Sequence, residues 1–242
     1  MEKRFIEIDF ARGFAVLGMI FFHTAYDLDY LNIFDLNLSS GFLWIIGRAT
    51  AIIFLLLVGI SLNLSYSKSL KKLSKRKLRD KYIIRGFRIF LLGLVITAAT
   101  WAYSPDYTIW FGVLHLIGFM IMITLITIKM SERVLILLSA SMLLIGYSIK
   151  SSVISIPYLL WLGLRPENFQ TFDYFPIFPW AGFILFGLFI GKHFYPKGKP
   201  KIKSPSLEKH ILIRKIAFLG EYSLIIYFIH QPILLLILSL IG

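Results

Sequence analysis

Apolar residues in this chain come in long blocks, not in the alternation of half-buried strands or the narrow stripe of a soluble amphipathic helix. Seven blocks stand out, at residues 13–31, 42–64, 83–103, 109–128, 134–149, 174–192 and 216–241. Most reach the roughly 17–25 apolar residues that a helix needs to cross a bilayer. Block 134–149 is short, and a further piece at 153–164 is too short to span alone; it reads as a re-entrant or interfacial segment, or the two are one stretch divided at the wrong place. The pattern predicts an all-α polytopic membrane protein of about seven transmembrane helices, forming a single membrane domain over residues 1–242.

Composition agrees, with 57% apolar residues, 16% charged residues and a mean hydropathy of +0.76. The first block is not a cleaved signal peptide. Glu2, Glu7 and Asp9 spoil a basic leader, and no small-residue cleavage site follows Phe22. The absence of cysteine excludes disulfides, thiolate nucleophiles and Cys-ligated metals. None of the five histidines has the close pair spacing of a zinc-binding helix, so no metal is expected.

A net charge of +13 invites a nucleic-acid partner, but the distribution excludes it. The basic residues sit in blocks beside the apolar ones, as in cytoplasmic loops attracted to the lipid surface. With the N-terminus cytoplasmic, 23 of the 26 Lys and Arg fall on the inside, leaving Arg48, Lys150 and Arg165 outside or in the outer half. Seven spans then put the C-terminus outside, and stretch 197–205 (KGKPKIKSP) becomes a cytoplasmic linker. The expected location is the cytoplasmic (plasma) membrane.

Against this apolar background the polar positions inside the blocks are informative. Ten residues lie between Arg12 and His23, and the eleven steps on a helix come to about 20° past three full turns and about 16 Å of axis. Asp27, four residues on, shares the face. Arg48 lies in the outer third of the second block and His115 two turns into the fourth. His230 lies about 21 Å beyond Ile216 on a straight helix, with Gln231 and Pro232 beside it and Tyr227 one turn before. Ionisable groups facing lipid are costly, so His23, Asp27, Arg48, His115 and His230 are expected to converge on an outward-opening polar pocket. Each also has a structural reading. Arg48 and Asp27 could form a buried ion pair, His115 could bond a helix carbonyl, and His230 could satisfy backbone freed by Pro232. His193 and His210 read as cytoplasmic surface residues.

The string RFIEIDFARGFAVLGMIFFHTAYDL resembles the first span of the transmembrane acyltransferases. That superfamily includes heparan-alpha-glucosaminide N-acetyltransferase-like proteins and the family that O-acetylates bacterial polysaccharides. RATAIIFLLLVGISL, FGVLHLIGF, FPIFPWAGFILFGLFIGK and LGEYSLIIYFIHQPIL extend the resemblance to most of the chain. It implies transfer of an acetyl or other acyl group from cytoplasmic acyl-CoA, with acetyl-CoA as donor, to a carbohydrate or other small polar acceptor at the outer face. There are departures. The heparan enzymes carry Asn at the position of His23 and a catalytic His in the lumenal stretch that follows. Residues 29–41 here hold no His, and the chain has fewer spans. Glucosamine N-acetylation is therefore not carried over.

The residues fit the implied chemistry. Coenzyme A joins a charged nucleotide to a long pantetheine arm, and the distance from Arg12 to His23 is close to the reach of that arm. Arg12, with Arg85 or Arg88, would hold phosphate at the cytoplasmic mouth. His23 would act as general base, with Asp27 fixing its tautomer. His115, Arg48 or His230 would stabilise the oxyanion or orient the acceptor. The alternative is a small proton-coupled transporter using the intramembrane His and Asp, which repeats and broken helices in matching halves would favour; no repeat is visible. A homo-oligomeric state is left open.

Overall fold

The computed structural model describes residues 5–150, 153, 157–201 and 210–240. Among them are nine α-helices: α1 (Ile6–Tyr30), α2 (Gly41–Leu70), α3 (Lys75–Tyr103), α4 (Val113–Met122), α5 (Thr124–Thr127), α6 (Glu132–Ile149), α7 (Ile177–Phe194), α8 (Ile211–Glu221) and α9 (Ser223–Leu238). Five of them, α1, α2, α3, α6 and α7, are long and apolar enough to cross a membrane, and the bent pair α8–α9 makes a sixth candidate. The chain is a multi-pass helical membrane protein. The expected fourth span is the ten-residue α4 continued by the single turn of α5. Within segment 153–164, residues 154–156 lie outside the described residues, and Pro157–Leu162 forms a short 3-10 turn. The linker beyond residue 201 and the end of the last apolar block also lie outside them.

The described residues up to Leu57 and those from His210 form one compact unit, and Val58–Lys201 form another, so α2 supplies residues to both. In the first unit, α1 and α8 meet almost backbone to backbone. A Cβ on Gly13 would stand 1.8 Å from the carbonyl oxygen of Ile216, and one on Gly220 would stand 1.9 Å from that of Asp9. Only glycine permits this approach. The expected straight final span is instead bent by 80° between α8 and α9. Residues 9 and 13 therefore meet 220 and 216, whereas 23 and 27 meet 230 and 231: α9 ascends beside α1 after the bend.

In the second unit α3 packs antiparallel on α4, with Gly86 against Gly118 and Met122 and Gly93 against His115. Likewise α6 packs antiparallel on α7, through Gly146 against Pro179 and Gly182 against Ser139. Eight of the ten residues of α4 are buried, which explains a helix apolar all round. By contrast Ile83, Ile84, Phe87, Leu91, Leu94 and Val95 of α3 are exposed, as lipid-facing residues are. Trp44, Trp101, Trp110 and Trp161 are exposed too, whereas Trp180 is buried against Phe175.

Polar contacts sort the two ends of this unit. At one end Lys81 bonds Ser69, Lys192 caps the carbonyls of Ile128 (3.1 Å) and Met130 (2.5 Å), and His193 meets Glu132 at 3.0 Å. At the other end the Phe172 amide bonds the Tyr107 carbonyl (3.1 Å), the Phe175 amide bonds that of Phe111 (3.0 Å), and Arg165 reaches the carbonyl of Lys150 (2.9 Å). The first end gathers the lysine-rich loops and the second end the lysine-poor ones, the division that the positive-inside pattern requires.

Candidate active site

In the first unit α1 and α9 bring four polar side chains together. The rings of His23 and His230 meet edge to face with centroids 4.9 Å apart. One turn along α1, Asp27 is 1% exposed, and its Oδ1 accepts a hydrogen bond from Nε2 of Gln231 at 2.6 Å. His230 is 8% exposed, and its Nδ1 lies 2.6 Å from the carbonyl oxygen of Tyr227. Three buried atoms of this group have no hydrogen-bond partner: Asp27 Oδ2, His230 Nε2 and Gln231 Oε1. Buried polar atoms are nearly always bonded, so this cluster is the candidate site of the first unit.

The geometry differs from the sequence-based expectation in three ways. Asp27 takes its hydrogen bond from Gln231, rather than fixing the ring of His23 or pairing with Arg48. Arg48 is exposed on α2, with its guanidinium carbon 5.7 Å from the Trp44 ring centre. The bend also restarts the depth count for His230, which stands eight residues, about 12 Å, beyond Tyr222.

His115 belongs to the second unit and is enclosed there. Its ring lies 5.1 Å from that of Phe90 and 5.5 Å from that of Phe111. Nδ1 accepts the Gly112 amide at 3.2 Å, and Nε2 lies 3.4 Å from the hydroxyl of Thr97, which is 2.6 Å from the Ile109 carbonyl. Both ring nitrogens are thus engaged at the start of α4. Asp173 completes that helix end by accepting the Val113 amide at 3.2 Å.

At the start of α1, Arg12 bonds Asp9 at 2.9 Å and the carbonyl of Gly220 at 3.4 Å, next to the α8–α9 bend. Arg85 and Arg88 are exposed on α3. Two residues have parts that the sequence reading did not give them: Gln231, read only as a neighbour of His230, and Asp173, at the start of α4 in the second unit. Gln231 had a signal available, because it is one of only two glutamines in the chain and stands inside an apolar block. Asp173 had none, since its partner amide is sixty residues away.

The family model described as "Heparan-alpha-glucosaminide N-acetyltransferase, catalytic" matches residues 4–232. No curated protein and no solved structure matches the chain.

Proposed function

The chain belongs to the heparan-alpha-glucosaminide N-acetyltransferase catalytic family, and from that premise we propose that it moves an acetyl or other acyl group from cytoplasmic acyl-CoA to a hydroxyl or amine acceptor at the outer face of the cytoplasmic membrane. The chain is a membrane protein of an acetyltransferase family; donor, acceptor and residue roles are our reading. The observation that carries it is the His23–His230 pair beside Asp27 and Gln231, with acceptor atoms buried and unfilled.

An imidazole of this pair serves as general base. It takes the proton of the acceptor hydroxyl or amine as that group attacks the thioester carbonyl, a step worth about 10²–10⁴-fold in rate. The second ring stands in contact to share the charge that develops. Arg12, about 16 Å back along α1, is the proposed ligand for the coenzyme phosphates, and Arg85 and Arg88 are proposed for the same role. A sugar or envelope glycan suits an outward site lined by hydrogen-bond acceptors.

The test is binding of acetyl-CoA to the purified chain in detergent. Saturable binding, weakened about tenfold in Arg12→Ala, supports the reading, the size being that of one lost charge-assisted contact. No binding by protein shown to be folded ends it and moves a proton-coupled transporter to first place. An unchanged dissociation constant in Arg12→Ala removes that residue from the phosphate site.

A further inference from the structure

A carbonyl oxygen carries no hydrogen, so the 2.6 Å contact between His230 and the Tyr227 carbonyl requires the proton to sit on Nδ1. Neutral His230 is thereby held as the Nδ1–H tautomer, and Nε2 presents a lone pair. That nitrogen is buried and unpartnered. The contact is not repair of the proline break. Pro232 lacks an N–H, so the carbonyl deprived of its usual donor four residues back is Phe228's, whereas His230 binds Tyr227's.

The neighbouring atoms have the same polarity. Gln231 spends an amide hydrogen on Asp27 Oδ1, which leaves its own buried Oε1 as an acceptor; that oxygen and Asp27 Oδ2 are both unpartnered. A carboxylate oxygen, an amide oxygen and an imidazole lone pair all ask for hydrogen.

We infer that His230, not His23, is the proton acceptor of the reaction, and that the Asp27–Gln231 pair holds the acyl acceptor by further N–H or O–H groups next to its nucleophile. This rests on the acyl-transfer reading above. The acceptor is a molecule with several adjacent hydroxyl or amine hydrogens, not a phosphate, carboxylate or ether, which would set lone pairs or negative charge against the same atoms. Nε2 of His230 takes the proton from X–H while X bonds to the thioester carbonyl carbon. The C–S bond of the tetrahedral intermediate then breaks, and the leaving thiolate receives that proton. Acyl-S-CoA and X–H become acyl-X and CoA–SH. The Tyr227 carbonyl holds the ring throughout, and Gln231 is a positioning residue for Asp27.

The experiment uses the full chain in nanodiscs with labelled acetyl-CoA and, as probe acceptors, glucosamine and glycerol. In His230→Gln, kcat falls about a hundredfold or more while the KM for acetyl-CoA stays within about threefold, and added imidazole restores part of the rate. In His23→Gln the loss is smaller, and imidazole does not restore it. Gln231→Leu raises the KM for the probe acceptor more than it lowers kcat. Wild-type kcat in His230→Gln, or imidazole rescue in His23→Gln alone, overturns the assignment. An arm independent of turnover is ¹⁵N-histidine NMR of the wild-type chain, with His230→Gln identifying the resonance. An unprotonated Nε2 at His230 supports the proposal. An Nε2–H in protein that binds acetyl-CoA overturns it alone, whereas failure to bind acetyl-CoA overturns the acyl-transfer reading itself.

Discussion

His230 and His115 are both buried histidines, one within α9 and one in the first turn of α4, and they are wired in opposite senses. His115 accepts at Nδ1 from the Gly112 amide, which leaves Nε2 as the N–H facing the Thr97 hydroxyl. His230 donates from Nδ1 to a carbonyl and leaves Nε2 open. One ring closes the first turn of a helix that begins among buried residues, where a loose backbone N–H would be costly. The other keeps a lone pair unspent at comparable burial. Burial does not distinguish the two rings. The direction of each ring's hydrogen bonds does.

The strongest way to break this comparison is to remove the framing ring. His115→Leu strands the buried Gly112 amide and removes the ring's contact with the Thr97 hydroxyl, which keeps its bond to the Ile109 carbonyl, and should cost about 3 kcal/mol, the upper end for a buried donor left without a partner. Thermal unfolding in detergent reads this as a lower melting temperature, and a value equal to wild type removes the capping role. Next is the glycine contact that sets α8, and with it α9, against α1. Gly13→Ala puts a methyl into the Ile216 carbonyl, which cannot rotate away. A loss of about 2 kcal/mol is expected, together with reduced transfer, because the helices bearing His23 and His230 part. Wild-type stability would show that α1 and α8 tolerate separation. Asp173→Ala acts on the same helix end as His115 but removes one capping bond, so about 1 kcal/mol is expected by the same assay; a drop as large as that of His115→Leu would invert their ranks. At the bottom lies His193→Ala, which breaks the exposed contact with Glu132 and should change stability by less than about 0.5 kcal/mol.

Span positions were largely legible in the sequence. The blocks at 42–64, 83–103, 134–149 and 174–192 lie within α2, α3, α6 and α7, or overlap them closely. Where the helices overrun the blocks, most of the excess is polar. The helix α3 begins at Lys75, capped by Ser74, eight residues before its apolar block, because hydropathy ends at the membrane surface and helical backbone need not. The breaks were not legible. Ile109, Trp110 and Phe111 precede α4 without being helical, and they are as apolar as the helix itself. The 80° bend falls at Tyr222, whereas the obvious breaker, Pro232, sits inside α9.

Which residues share a helix face was legible in the sequence, and which bonds they make was not. The stripe from Arg12 through His23 to Asp27 follows from helical period alone, and of the five groups expected to converge the ring contact joins His23 and His230. The partner of Asp27 did not follow, because Gln231 arrives from a helix two hundred residues away. Nor did the role of His115, whose two hydrogen bonds depend on where α4 starts.

The most direct test of the account measures acetyl transfer per folded molecule and melting temperature together, in His230→Gln and His115→Leu. The account predicts that His230→Gln melts with the wild type and transfers almost nothing, while His115→Leu melts well below it and transfers at close to the wild-type rate in whatever remains folded. A stable, inactive His115→Leu beside an active His230→Gln would contradict it.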